Sequence, residues 1–180
     1  MIIAEPTAAQ AADVIAINHL AASYAEAVSR LEIEEAVDTY AVDGVLASLK
    51  TDDAVGRAAI VSVISATTAS LEFVFQTVHA GLVRVDGDRA SARFPVTEWS
   101  RRKRDGVTML FLGLYEDDVV RTGEGWRFAR RELVPRTLGK AELFTGRIHD
   151  PCAAANALSA DGRPLTSCRA YSNPLTYHTE

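Results

Sequence analysis

Gly123-Glu-Gly-Trp-Arg-Phe-Ala-Arg-Arg-Glu-Leu-Val134, taken with the run before it, Val107-Thr-Met-Leu-Phe-Leu-Gly-Leu-Tyr-Glu-Asp-Asp-Val-Val120, decides the fold. Arg121-Thr-Gly-Glu-Gly125 lies between the two, and its glycines supply the backbone freedom of a hairpin loop. The runs therefore read as long antiparallel strands. A sheet with strands this long has to curl, and its concave face, closed by helices from the N-terminal third, would form a pocket where function is expected.

Toward the N-terminus, Asp86-Gly-Asp88 signals a second tight turn. It separates Leu71 to Val85, read as one strand rich in β-branched and aromatic residues, from its partner Ala90 to Ser100. Side chains alternate along a strand, so Ala92, Phe94, Val96 and Glu98 share one face while Arg93, Thr97, Trp99 and Arg101 share the other. Glu98 thus points with the apolar set. Further upstream, Val14, Ile17, Leu20, Ala21, Tyr24, Val28 and Leu31 recur at the spacing of one helical stripe, which predicts a helix from Thr7 to Leu31 ending near Arg30. Glu32 to Tyr40 repeats the pattern until Asp43-Gly44 breaks it, a short strand is expected at Val45 to Leu49, and Arg57 to Thr67 gives a third helix. Past Pro135 periodicity fades and Pro151, Pro164 and Pro174 accumulate, so loops with one short strand near Ser167 to Tyr171 are expected. Helices followed by long antiparallel strands make an α+β chain.

The 180 residues are 48% hydrophobic, enough for one domain with a substantial core. Net charge is -5 with no long basic run, which argues against nucleic acid as partner; Arg101-Arg-Lys-Arg104, just before Asp105-Gly106, reads as a solvated hairpin tip. No apolar run approaches the ~20 residues of a membrane span. Met1-Ile-Ile-Ala-Glu-Pro lacks the features of a secretion signal, so a cytoplasmic location is expected. Cys152 and Cys168 are too sparse for a disulfide framework or zinc site and are expected as free thiols. His19, His79, His149 and His178 show no ligand spacing and no glycine-rich phosphate loop precedes a helix, so neither metal nor cofactor is implied.

Tyr24-Ala25 before a short acidic second helix, Asp86-Gly-Asp-Arg-Ala90, Gly113-Leu-Tyr-Glu-Asp117 and Val120-Arg-Thr-Gly-Glu-Gly-Trp-Arg-Phe-Ala-Arg-Arg131 together resemble the SnoaL-like branch of the nuclear transport factor 2 superfamily, over roughly Ala12 to Arg136. The resemblance implies a cone-shaped barrel of a strongly curved, mainly antiparallel sheet closed by three N-terminal helices, with a deep apolar pocket and a homodimer. It divides the chain into a barrel domain at 1–136 and a loop-rich extension at 137–180, a lid or dimer arm anchored by Phe144, Tyr171 and Tyr177. Polyketide cyclases, scytalone dehydratase, ketosteroid isomerases and limonene epoxide hydrolase belong to the superfamily, as do members without catalysis, so fold alone selects no reaction.

Carried over position by position, the Tyr-Asp pair of scytalone dehydratase-like members falls on Val28 and Ser29, the catalytic histidine on Gln76, a frequent asparagine on Ala80, and a tyrosine of the short strand on Ser48. The usual dyad is absent. Glu98 is the first replacement: among Phe94, Val96 and the neighbouring strands its carboxylate would be desolvated and its pKa raised toward the useful range. Equally weighted is a strand-end glutamate paired with an arginine. His79 is the second candidate base, although strict alternation turns it away from Gln76 and favours a surface or interface position. Gln76 could orient a substrate oxygen through its amide, and Tyr24, Tyr40 and Tyr115 could donate to a developing oxyanion, against the commoner reading of core aromatics. Phe94, Met109 and Phe111 would complete the substrate wall. Asp117 and Arg131 are expected to pair across strands, with Asn18 and His19 exposed.

Two functions follow. One is a cofactor-independent lyase, isomerase or cyclase acting on a small, mostly apolar cyclic or polyketide-like substrate by proton transfer or conformational control. The other is a ligand-binding or dimerisation module that has lost the acid/base groups.

Overall fold

The computed structural model describes residues 6–47 and 52–141. Two helices come first, α1 (Ala8–Ser29) and α2 (Ile33–Asp38), then strands β1 (Tyr40–Ala47) and β2 (Ala54–Val55), helix α3 (Arg57–Thr68), and strands β3 (Leu71–Val78), β4 (Leu82–Asp86), β5 (Arg89–Arg102), β6 (Thr108–Thr122) and β7 (Gly125–Lys140). Helix α1 starts on a capping box, with Thr7 Oγ1 accepting from Gln10 N and the Gln10 side chain accepting from Thr7 N. Among the described residues no helix is long and apolar enough to cross a membrane.

The strands form one sheet in the order β2-β1-β7-β6-β5-β3, with β4 also on β5; every pairing is antiparallel except β1 with β7. The α+β class and the mainly antiparallel sheet follow expectation. Closure does not: the sheet is open, with the two-residue β2 at one edge and β3 with β4 at the other. The expected single strand from Leu71 to Val85 is broken at 79–81, because the Phe94 ring occupies the space a side chain at Gly81 would need. Both fragments pair with β5, β4 at its start and β3 at its end.

Helix α1 covers one of the two open edges. Three of its polar side chains bond backbone groups along the β4–β3 edge: Gln10 Nε2 donates to Val85 O (3.1 Å), Asn18 Oδ1 accepts from Gly81 N (2.9 Å), and Ser29 Oγ accepts from Gln76 N (2.8 Å). Asn18, expected exposed, is half-buried for this reason. The α1 stripe Ile17, Leu20, Ala21, Tyr24, Val28 packs with Val74, Phe94, Val96, Val119, Trp126 and Phe128 in a single core.

Two further departures have local causes. Strand β1 starts at Tyr40 rather than Val45, since Asp43-Gly44 forms a bulge and not a break. A Cβ on Gly44 would lie 2.9 Å from the carbonyl oxygens of Ala41 and Phe128. Strand β7 runs through Pro135 to Lys140; among the described residues β1 pairs β7 as far as Glu132, and no described strand on that side requires the N–H that Pro135 lacks.

Candidate functional site

Gln76 and Glu98 stand directly opposite each other on β3 and β5, both on the face that carries Val74, Phe94 and Val96. Gln76 Nε2 donates to Glu98 Oε2 (2.9 Å), and Tyr115 Oη, on β6, donates to Gln76 Oε1 (3.1 Å). An ionised carboxylate only accepts, so the amide must turn its NH2 toward Glu98 and its carbonyl toward the phenol. The result is a polarised line from Tyr115 through Gln76 to Glu98. Burial pushes the Glu98 carboxyl above its ordinary range, and the Gln76 bond partly opposes that shift. Oε1 of Glu98 has no partner among the described residues. Ser29 on α1 fixes the base of this line by bonding the Gln76 backbone N–H while donating to Ala25 O (2.8 Å).

Next to it lies a buried ion pair. Arg131 is 0% exposed and bonds Asp117 with both prongs, Nε to Oδ1 at 2.8 Å and Nη2 to Oδ2 at 2.6 Å. Its Cζ sits 3.7 Å from the Phe128 ring centroid, 4.1 Å from that of Tyr115 and 4.5 Å from that of Tyr24. Burial raises the Asp117 carboxyl and the guanidinium opposes it; since arginine keeps its proton, the pair is ionic. Burial likewise pushes the phenols of Tyr24, Tyr40 and Tyr115 up, so all three are neutral donors. Tyr40 Oη and Arg131 Nη1 are buried without a partner among the described residues.

The expected site residues therefore fall into three groups. Glu98, Gln76 and Tyr115 are brought together, and Phe111 and Met109 share their face as the register partners of Glu98 and Ser100, both half-buried. Tyr24, Tyr40 and Phe94 are core: the two tyrosine rings meet edge-on at 6.0 Å, and Phe94 is fully buried. His79 is not brought in. It is exposed, its Nε2 lies 3.1 Å from Thr97 Oγ1 on the opposite face, and its backbone N–H bonds Pro95 O. Ser48 lies outside the described residues, as do Cys152, Cys168 and the extension assigned as a lid from residue 142 onward, while its first residues, expected as loop, belong to β7. Among the described residues Glu98 has no arginine partner: its bonded neighbour is an amide. The positioning role of Ser29 was missed, though the resemblance pointed to this position by assigning it the family's helix carboxylate. Among the described residues no group of three or more His, Cys, Asp or Glu is placed to hold a metal ion.

A family model described as a SnoaL-like domain matches residues 9–132. An uncharacterized protein of Mycobacterium tuberculosis is 50% identical over 50 residues, 27% of this chain and 34% of that protein, so the match spans about a third of the curated relative. Among solved structures, a candidate aromatic ring hydroxylase from Novosphingobium aromaticivorans is 27% identical with a TM-score of 0.66, over 72% of this chain and 93% of that one. A candidate scytalone dehydratase from the same bacterium is 20% identical with a TM-score of 0.67, over 78% and 93%. A hexachlorocyclohexane dehydrochlorinase is 12% identical with a TM-score of 0.68, over 78% and 95%. At those identities the last two establish a shared fold.

Proposed function

The chain belongs to the SnoaL-like domain family, and from that premise we propose that it is a cofactor-independent enzyme of the lyase, isomerase or cyclase type, with Glu98 as its proton-transfer group. The observation that carries this is the state of Glu98. A carboxyl raised by burial, held through one oxygen by an amide and without a described partner at the other, is a stronger base than an ordinary carboxylate. Gln76 cannot titrate, so it orients Glu98 and leaves the proton to it. Phe111 and Met109 on the same face suit a small, mostly apolar cyclic substrate. In the simplest step, Glu98 Oε1 takes a proton from a carbon beside a carbonyl, the C–H electron pair moves onto the carbonyl oxygen, and the proton returns at another position or a leaving group departs.

One observation favours a second reading, a binding module. Gln76, which cannot titrate, stands where the resemblance assigns the catalytic histidine, and neither Tyr115 nor Arg131 titrates near neutrality. The test is a thermal-shift screen with aromatic polyketides, steroids and terpenoid epoxides, followed by turnover assays of any binder with wild type, Glu98→Gln and His79→Ala. The enzyme reading expects turnover in wild type and His79→Ala and at least a hundredfold loss in Glu98→Gln with binding retained. Binding with no product in wild type, or full turnover in Glu98→Gln, would sink it.

A further inference from the structure

On the outer face of the sheet an open groove of about 770 Å³ crosses β4, β5, β6 and β7. Its charged lining occupies neighbouring register positions: Arg84 is across from Ser91, Ser91 from Asp118, Asp118 from Arg130, and Arg89 from Asp86. Arg130 is committed, with Nη1 2.7 Å from Asp53 Oδ2 and Nη2 3.5 Å from Glu132 Oε2. Arg84 and Arg89 are not. Neither makes a hydrogen bond or ion pair among the described residues, even though Arg89 stands opposite a carboxylate. On adjacent antiparallel strands the two occupy diagonal positions, about 7–8 Å apart. Two exposed guanidinium forks on paired strands, neither bonded to a carboxylate among the described residues, with the Ser91 hydroxyl on the same face, make a donor set suited to an acceptor of opposite charge.

We infer that this groove binds a doubly charged oxyanion of the phosphate type between Arg84 and Arg89, with Ser91 Oγ as a third donor. Asp86 and Asp118 border the same positions and repel extended polyanions, so the ligand is a compact phosphate or phosphate monoester rather than a nucleic acid. The inference is independent of the catalytic reading, since none of these residues faces Glu98.

Isothermal titration of the full chain with sodium phosphate, at constant ionic strength against a chloride control, tests it. Saturable binding is expected with a Kd on the order of 1 mM. Arg84→Gln/Arg89→Gln should weaken it at least tenfold, Asp118→Asn should tighten it a few-fold by removing a repelling charge, and Arg93→Gln, whose side chain is tied to Glu116 outside the groove, should leave it unchanged. Tighter binding of glycerol 3-phosphate than of phosphate marks a monoester as the ligand; the reverse marks the free ion. Absence of saturable heat, or binding indifferent to the double substitution, overturns the inference. So does a sedimentation result in which that substitution changes oligomeric state and not phosphate binding, which would assign the arginines to a protein contact.

Discussion

Removing one partner of the Asp117–Arg131 pair should cost far more than removing both. Asp117→Ala leaves a fully buried guanidinium among three aromatic rings with no counter-charge, and water cannot replace the carboxylate at a residue with no exposed surface. Breaking such a pair costs about 3–5 kcal/mol, a large share of the roughly 5–15 kcal/mol that stabilises a domain. Asp117→Leu/Arg131→Met substitutes apolar groups for both charges. It forfeits the ring contacts of the guanidinium, about 1–2 kcal/mol in a desolvated site, but leaves no charge stranded. A double-mutant cycle built from these two substitutions should therefore give a coupling energy of about 4 kcal/mol or more, two losses of about 3–5 set against one of about 1–2. Urea unfolding followed by far-UV circular dichroism measures it. With a slope of about 2 kcal/mol per molar, each single substitution should lower the midpoint by roughly 2 M and the double by less. Single losses that simply add in the double, within about 0.5 kcal/mol, would refute the account of a mutually dependent buried pair.

The Glu98 carboxyl, raised above its ordinary value of 4.5 in the folded state, makes folding less favourable as pH climbs, because the unfolded chain releases that proton first. Glu98→Gln should therefore gain stability relative to wild type as pH rises above about 4.5 and show no such trend below it, a difference readable in thermal melts across pH. For any substrate found, kcat/KM should rise with pH along a limb displaced above the ordinary carboxylate range, and a limb at about 4.5 would contradict a buried base. Gly81→Ala forces a methyl into the Phe94 ring and should destabilise by about 1–3 kcal/mol, with recovery expected in Gly81→Ala/Phe94→Leu. Ser29→Ala strands the Gln76 N–H and should cost about 1–3 kcal/mol in urea unfolding; a cost within error would mean that water satisfies that group.

Much of this was open to a reading of the chain. The alternation in β5 placed Glu98 with Phe94 and Val96, and both hairpin turns were marked by their glycines. What escaped depended on geometry that period-two counting cannot contain. The Asp117–Arg131 pairing was expected and is present, but its burial was not, because counting inward from Phe128 would bury Arg130 and expose Arg131. The extra residue Ala129, set between the pairs Val119–Phe128 and Asp118–Arg130, reverses the phase and turns Arg131 toward Asp117. The 79–81 break was hidden because Val78, Val83 and Val85 continue a strand-like composition across it, while the cause is a ring from another strand. Closure of the barrel was inferred from strand length and resemblance; it depends on whether the edge strands find each other, and here the β4–β3 edge is lined by helix α1 instead.

That helix has a consequence for how the chain is made. Unpaired strand edges recruit further strands, and a nascent protein is most exposed to this while its sheet is incomplete. Synthesis delivers Gln10, Asn18 and Ser29 before Gln76, Gly81 and Val85, so the acceptor and donor for each edge group have left the ribosome before the edge itself emerges. The guard precedes what it guards. A rearranged gene that moved α1 behind β7 would keep every contact of the finished fold, yet expose the β4–β3 edge throughout translation, and the loss would be felt in soluble yield rather than in the melting temperature of whatever folds.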